Sequence, residues 1–194
     1  YMIQQWHFDA DRHGTDVRIF TIWFDYKGHS LPFFARGWED QYLRANAMDK
    51  VIYSLAHMSQ SSEEVANSLS EEEKRQIMII PFEPFVLSPE PYLQQLEVLL
   101  GTEMTALTRR ELRRQKVPRK MIADGRDEPI YRQYGWVPAE KGSDEAKELE
   151  RRRKFAAEHA SPEAMEVLVQ LCATYEAQYW KDTDLPILAN SRRV

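Results

Sequence analysis

The stretch Ile77-Met78-Ile79-Ile80-Pro81-Phe82-Glu83-Pro84-Phe85-Val86-Leu87-Ser88-Pro89-Glu90 decides how the chain is read. Four consecutive apolar residues bounded by Arg75-Gln76 and Pro81 fit a strand buried on both faces of a parallel sheet, and four residues before a Pro are too short for a buried helix. Ser88-Pro89-Glu90 then supplies a hydroxyl N-cap, a Pro at the first helical position and an acid in the first turn. Tyr92, Leu93, Leu96, Leu99 and Leu100 form the apolar stripe of the helix, and Gly101 closes it. Strand, turn and amphipathic helix make half of a βαβ unit.

Upstream, Val17 to Phe24 is β-branched and aromatic and reads as a strand or extended segment between His13-Gly14 and Lys27-Gly28. Trp38, Tyr42, Leu43, Ala47, Val51, Leu55 and Met58 recur at helical spacing, so a helix of about five turns is expected over Glu39 to Ser59. Ser61-x-x-Glu64 and Ser70-x-x-Glu73 have the form of capping boxes and predict two short helices. Downstream, a short helix is expected near Thr108 to Gln115, followed by a loop from Val117-Pro118 through Asp124-Gly125. Two longer helices finish the chain. Ser143 opens one, and Ser161-Pro162-Glu163 opens the other, with Met165, Leu168, Val169, Cys172, Tyr175 and Tyr179 on one face.

Composition agrees with a helix-dominated α/β chain in which a small parallel sheet is covered by helices. The 194 residues are 43% hydrophobic and 11% aromatic, enough for one domain, or for the C-terminal part of one. Seven Gly are few, and the ten Pro fall mostly between periodic segments, which argues against a turn-rich β architecture. Cys172 is the single cysteine, so neither a disulfide framework nor a Cys-based metal site is available, and a reducing, cytoplasmic setting is expected. No apolar run is long enough for a membrane span, and the first residues lack a signal-peptide pattern. The chain starts at Tyr1 without an initiator Met, so further residues are expected upstream.

Charge is segregated. Arg109 to Arg126 carries eight Lys/Arg against two acids inside a chain of net charge −5, leaving −11 for the rest. Arg119-Lys120, just after Pro118, can offer a guanidinium fork and an ammonium to one phosphate or sulfate. Arg109, Arg110, Arg113 and Arg114 read as a solvated helix face. The acidic balance and the lack of a base-reading motif weigh against nucleic acid. Tyr131, Tyr134 and Trp136 form either a stacking wall or core. His7, Asp9, Asp11 and His13 alternate, but a metal site needs three or more convergent donors, and none is assigned. His29 and His57 lack the partners of a nucleophile triad. Glu83, at the end of the expected strand, either meets a ligand, caps a helix or pairs with a base.

Ile77 to Glu83, Phe85, Ser88-Pro89, Tyr92, Leu99-Leu100-Gly101 and Arg119-Lys120 together resemble, in order and spacing, the C-terminal half of P-loop sulfotransferases. Gln115 to Lys120, Ile130-Tyr131 to Gly135-Trp136, Tyr175-Glu176, and Phe20 to Phe24 through Trp38 are similar to a bacterial subgroup of that family. The resemblance implies transfer of a sulfuryl group from 3′-phosphoadenosine 5′-phosphosulfate to a hydroxyl or amine on a small-molecule or glycan acceptor. It places the nucleotide's 3′-phosphate on Arg119 and Lys120, with Gly125 lending backbone freedom because Met121 stands where the family's loop has Gly. The family's Gly-rich phosphate loop is absent from these residues, so an incomplete P-loop domain is expected and no catalytic residue is assigned. The reading of another class is a non-catalytic helical interaction module whose basic stretch docks an acidic partner. Whether the chain forms a homo-oligomer is left open.

Overall fold

The computed structural model describes residues 22–126, 129 and 139–180. Helices dominate, and the sheet among the described residues is a two-stranded antiparallel hairpin, not the expected parallel sheet. Strands β1 (Trp23–Tyr26) and β2 (His29–Pro32) pair Trp23 with Pro32 and Tyr26 with His29. Lys27 and Gly28, with φ of 52° and 78°, form the left-handed turn that matches the strand twist. The part of the expected first strand before Ile22 lies outside the described residues.

A 3-10 turn at Phe33–Ala35 leads into α1 (Glu39–Arg44) and α2 (Ala47–Ser68). The single helix expected from Glu39 therefore breaks at Ala45-Asn46, where the Asn46 carboxamide accepts the Asp49 N–H at 2.9 Å and starts a new helix. The Ser61 capping box does not form, and α2 runs through it. Glu64 is already engaged by Gln60 at 2.9 Å, and the Ser62 hydroxyl bonds back to Met58 O, so no acceptor turns the chain out of the helix. At Ser70 the box does form. Its hydroxyl accepts Glu73 N and the Glu73 carboxylate accepts Ser70 N at 2.8 Å, opening α3 (Glu71–Lys74).

Ile77 to Ile80 is the principal correction. Among the described residues it pairs with no strand, and Ile77 and Ile79 are exposed rather than buried. The run instead feeds the proline-opened helix α4 (Phe82–Leu87), with Pro81 at its cap and Pro84 in its first turn. Neither proline has an N–H for a ladder, and both have φ set for a helix start. Then come α5 (Glu90–Leu100), whose cap is Pro89 with no side-chain cap bond in place of the expected Ser88 hydroxyl and which left-handed Gly101 closes as expected, and α6 (Ala106–Arg114), capped by Thr105. In α7 (Glu145–His159) the cap is Asp144, which accepts Lys147 N at 2.9 Å, and not Ser143. Helix α8 (Pro162–Tyr179) is opened by Ser161, whose hydroxyl accepts Ala164 N.

Two compact units divide the described residues, one of 22–65, 129 and 151–174, the other of 66–126, 139–150 and 175–180. The first holds two core clusters. Leu31, Ala35, Trp38 and Tyr42 form one, with the Trp38 indole donating to Phe34 O at 2.8 Å. Met48, Ile52 and Ala164 form the other, flanked by Tyr53, Phe155 and Leu168. Asp49 is buried beside the second cluster and accepts the Ser161 backbone N–H at 2.8 Å, tying the start of α2 to the start of α8. Asp49→Ala leaves that part-buried N–H without its carboxyl acceptor and costs about 1–3 kcal/mol. Urea denaturation of the variant checks this, with a lowered midpoint and an unchanged slope as the expected result.

Candidate functional site

The basic segment is built on the second unit, and α4 is its platform. After α6 the chain turns at Lys116, where φ is 55°, and Val117 N returns to Leu112 O at 2.9 Å. Val117 and Ala123 are buried, which fixes both arms of the loop between them. Arg119 N donates to Val86 O at 2.7 Å, so the loop is bonded directly to α4. The Arg119 guanidinium lies over the Phe82 ring at 5.3 Å, and its Nη1 donates to Ile122 O at 2.8 Å. Ile122 N in turn donates to the Glu145 carboxylate at 2.8 Å, attaching the loop to the first turn of α7.

Gly125 explains why the arginine fits. A Cβ at this position would sit 3.2 Å from both terminal guanidinium nitrogens, so glycine leaves the space that Arg119 occupies. Two of the three residues expected to hold an anion are thus brought together, but in an internal contact in which the half-buried arginine organises its own loop. Lys120, the third, is exposed and has neither a hydrogen bond nor an ion pair among the described residues. Lys116 reaches Gly125 O at 3.4 Å and is also exposed. The signal for the inward role was the aromatic Phe82 and the small Gly125, which become meaningful once the loop is seen to fold back on α4.

Helix α6 presents the remaining cations. Thr108, Glu111 and Leu112 are half-buried, while Arg109, Arg110, Arg113 and Arg114 are exposed. Glu111 is shared by Arg114 at 2.6 Å and Arg110 at 3.7 Å. Arg109 and Arg113 make no ion pair among the described residues.

Glu83 lies on α4 rather than at a strand end, and it accepts the Tyr175 hydroxyl at 2.5 Å. Burial and the Glu83 carboxylate push the Tyr175 phenol well above the ordinary tyrosine range. It is therefore a hydrogen-bond donor and not a base at neutral pH. Tyr179 packs on Tyr175 at 4.9 Å, and Tyr92, raised by burial, meets Phe85 edge-on at 6.1 Å. His57 is stacked flat on Trp38 at 4.9 Å, and His29 is exposed on β2. Tyr131, Tyr134 and Trp136, and likewise His7, Asp9, Asp11 and His13, lie outside the described residues. Among the described residues no group of three His, Cys, Asp or Glu is placed to hold a metal, and no helix is long and apolar enough to cross a membrane.

No protein-family model, curated protein or solved structure matches the chain.

The Tyr175 bond gives a test with a definite sign. Tyr175→Phe costs about 1.5 kcal/mol, the low end for a hydrogen bond to a charged group, since both partners are half-buried. Because the folded-state value is raised, this residue's contribution is complete below the unfolded tyrosine value of about 10 and declines above it, where only the unfolded chain ionises. Thermal midpoints measured on either side of that value should fall more for the wild type than for Tyr175→Phe.

Proposed function

We propose that this chain is a helical interaction module whose basic segment docks an acidic partner surface. The outward face of α6 carries the reading. Four exposed arginines stand on it and Lys116 follows it, so that with Glu111 as the one acid residues 106–116 carry +4 in a chain of −5. Guanidinium groups pair with carboxylates through two parallel N–H donors, so Arg109 and Arg113 are suited to a partner's Asp or Glu. Exposed charges of this kind raise the encounter rate and set the register of docking more than they add affinity. The inward Arg119 has a supporting role, holding the segment on α4 through Val86 and Phe82.

A second reading, sulfuryl transfer from 3′-phosphoadenosine 5′-phosphosulfate, has one local feature in its favour. Lys116 and Lys120 are exposed on a loop that carries Gly125, and an ammonium is a suitable point charge for a phosphate. On this reading Lys120 takes the 3′-phosphate while Arg119 shapes the loop. The reading also asks for a parallel sheet and a Gly-rich phosphate loop, together with an acceptor site.

One set of titrations separates the two. A polyglutamate peptide should bind, weaken several-fold as salt rises from about 50 to about 200 mM, and lose at least about ten-fold in affinity in Arg109→Glu/Arg113→Glu. The melting temperature of that variant should be unchanged, because both side chains are exposed. No affinity for polyglutamate removes the docking reading. Tight binding of 3′-phosphoadenosine 5′-phosphate that Lys120→Ala abolishes would favour sulfuryl transfer instead.

A further inference from the structure

The acidic surface that α6 is suited to meet is present in the chain's own sequence. From Val51 to Glu73 there is no Lys or Arg, and the acids Glu63, Glu64, Glu71, Glu72 and Glu73 give that stretch a charge of −5. From Ala106 to Lys116 the charge is +4. Among the described residues each block is incompletely neutralised. Among the described residues Glu64 bonds Gln60, Glu71 pairs with Lys74 and Glu73 closes the Ser70 cap, while Glu63 and Glu72 have no partner. On the basic side Arg109 and Arg113 are unpaired in the same sense.

Apolar exposure accompanies both blocks. Leu107, within the basic helix, is 57% exposed, and Val98, in the last turn of the preceding helix, is 84% exposed. Ile77 and Ile79, which follow the acidic block, are 53% and 59% exposed. Aliphatic side chains that interrupt or adjoin a charged block in the sequence in this way are suited to the core of an interface.

We infer that the partner of α6 is the acidic stretch 63–73 of a second copy of this chain. The inference rests on the docking reading above and names its partner. Because each copy carries one block of each sign, two copies related by a two-fold axis satisfy both blocks at once, and the assembly closes as a dimer. The carboxylates of one copy meet Arg109 and Arg113 of the other, and the exposed aliphatics lie beside each contact. Charge of this density on open surface gives a weak, salt-sensitive association.

Sedimentation equilibrium on the full chain tests it. At about 50 mM salt the weight-average mass should climb toward twice the monomer between about 5 and 100 µM, and should return to the monomer at about 500 mM. Arg109→Glu/Arg113→Glu alone should be monomeric, since it brings the +4 of residues 106–116 to zero and sets acids against the partner's acids, and Glu71→Lys/Glu72→Lys alone should associate far more weakly than the wild type, since it brings the acidic stretch from −5 to −1. Mixed in equal amounts the two variants should pair with each other, because one contact keeps the native −5 against the native +4 and at the other the reversed residues again meet with opposite signs. A chain that is monomeric throughout, or a dimer indifferent to both variants, overturns the inference, as does a mixture that fails to pair. The polyglutamate titration keeps the two proposals apart. A monomeric chain that still binds the peptide leaves the docking reading standing with a separate acidic protein as partner, and a chain that does neither removes both.

Discussion

Arg119, with its half-buried guanidinium, ties the basic loop of the second unit to helix α4. Arg119 is bonded through its backbone to Val86, lies over Phe82 and donates to Ile122 O, so one residue joins the loop, its own return and helix α4. Helix α4 is only six residues long and would not persist alone. It is fixed from two directions, by Arg119 on the loop and by Tyr175, whose hydroxyl reaches Glu83 from α8. Both are hydrogen bonds involving a charged group or a backbone carbonyl in a partly desolvated setting, where such bonds are strongest and their loss most costly.

This arrangement separates two kinds of basic residue that lie close together in sequence. Arg119 in the loop serves internal geometry, while the cations on α6 and at Lys116 and Lys120 remain in contact with solvent. Desolvation accounts for the division. An inward arginine is tolerated because an aromatic face and carbonyl oxygens replace its water, and because Gly125 leaves room for it. Among the described residues no equivalent set of acceptors faces Arg109 or Arg113, which are exposed to solvent.

The sequence made the local stops and starts legible. Pro89 and Gly101 bracket α5, Ser161 opens α8 and the Ser70 box opens α3, because each signal is satisfied within a few residues. Where two local options compete, the pattern is silent on the winner. Ser61 and Glu64 have the spacing of a capping box, but Gln60 claims the carboxylate and the helix continues. Ile77 to Ile80 has the composition of a buried strand, yet a strand needs neighbours, and the prolines that follow commit the chain to a helix instead. The role of Arg119 was hidden for the same reason. A cation in a loop looks alike whether it turns outward or inward, and the direction depends on Phe82, which lies 37 residues earlier in the chain.

The bond between Asp49 and Ser161 spans 112 residues, and the order of synthesis gives it a further meaning. Met48 and Ile52 are covered in part by Ala164, so the second core cluster of the first unit has no lid until the start of α8 has left the ribosome. The hairpin and the Trp38 cluster can assemble early from nearby residues, but the Met48 cluster is a late closure that waits on Ala164. A nascent chain stalled before Pro162 therefore presents an uncovered aliphatic face on α2, and any chaperone attending its synthesis would have to shield that face.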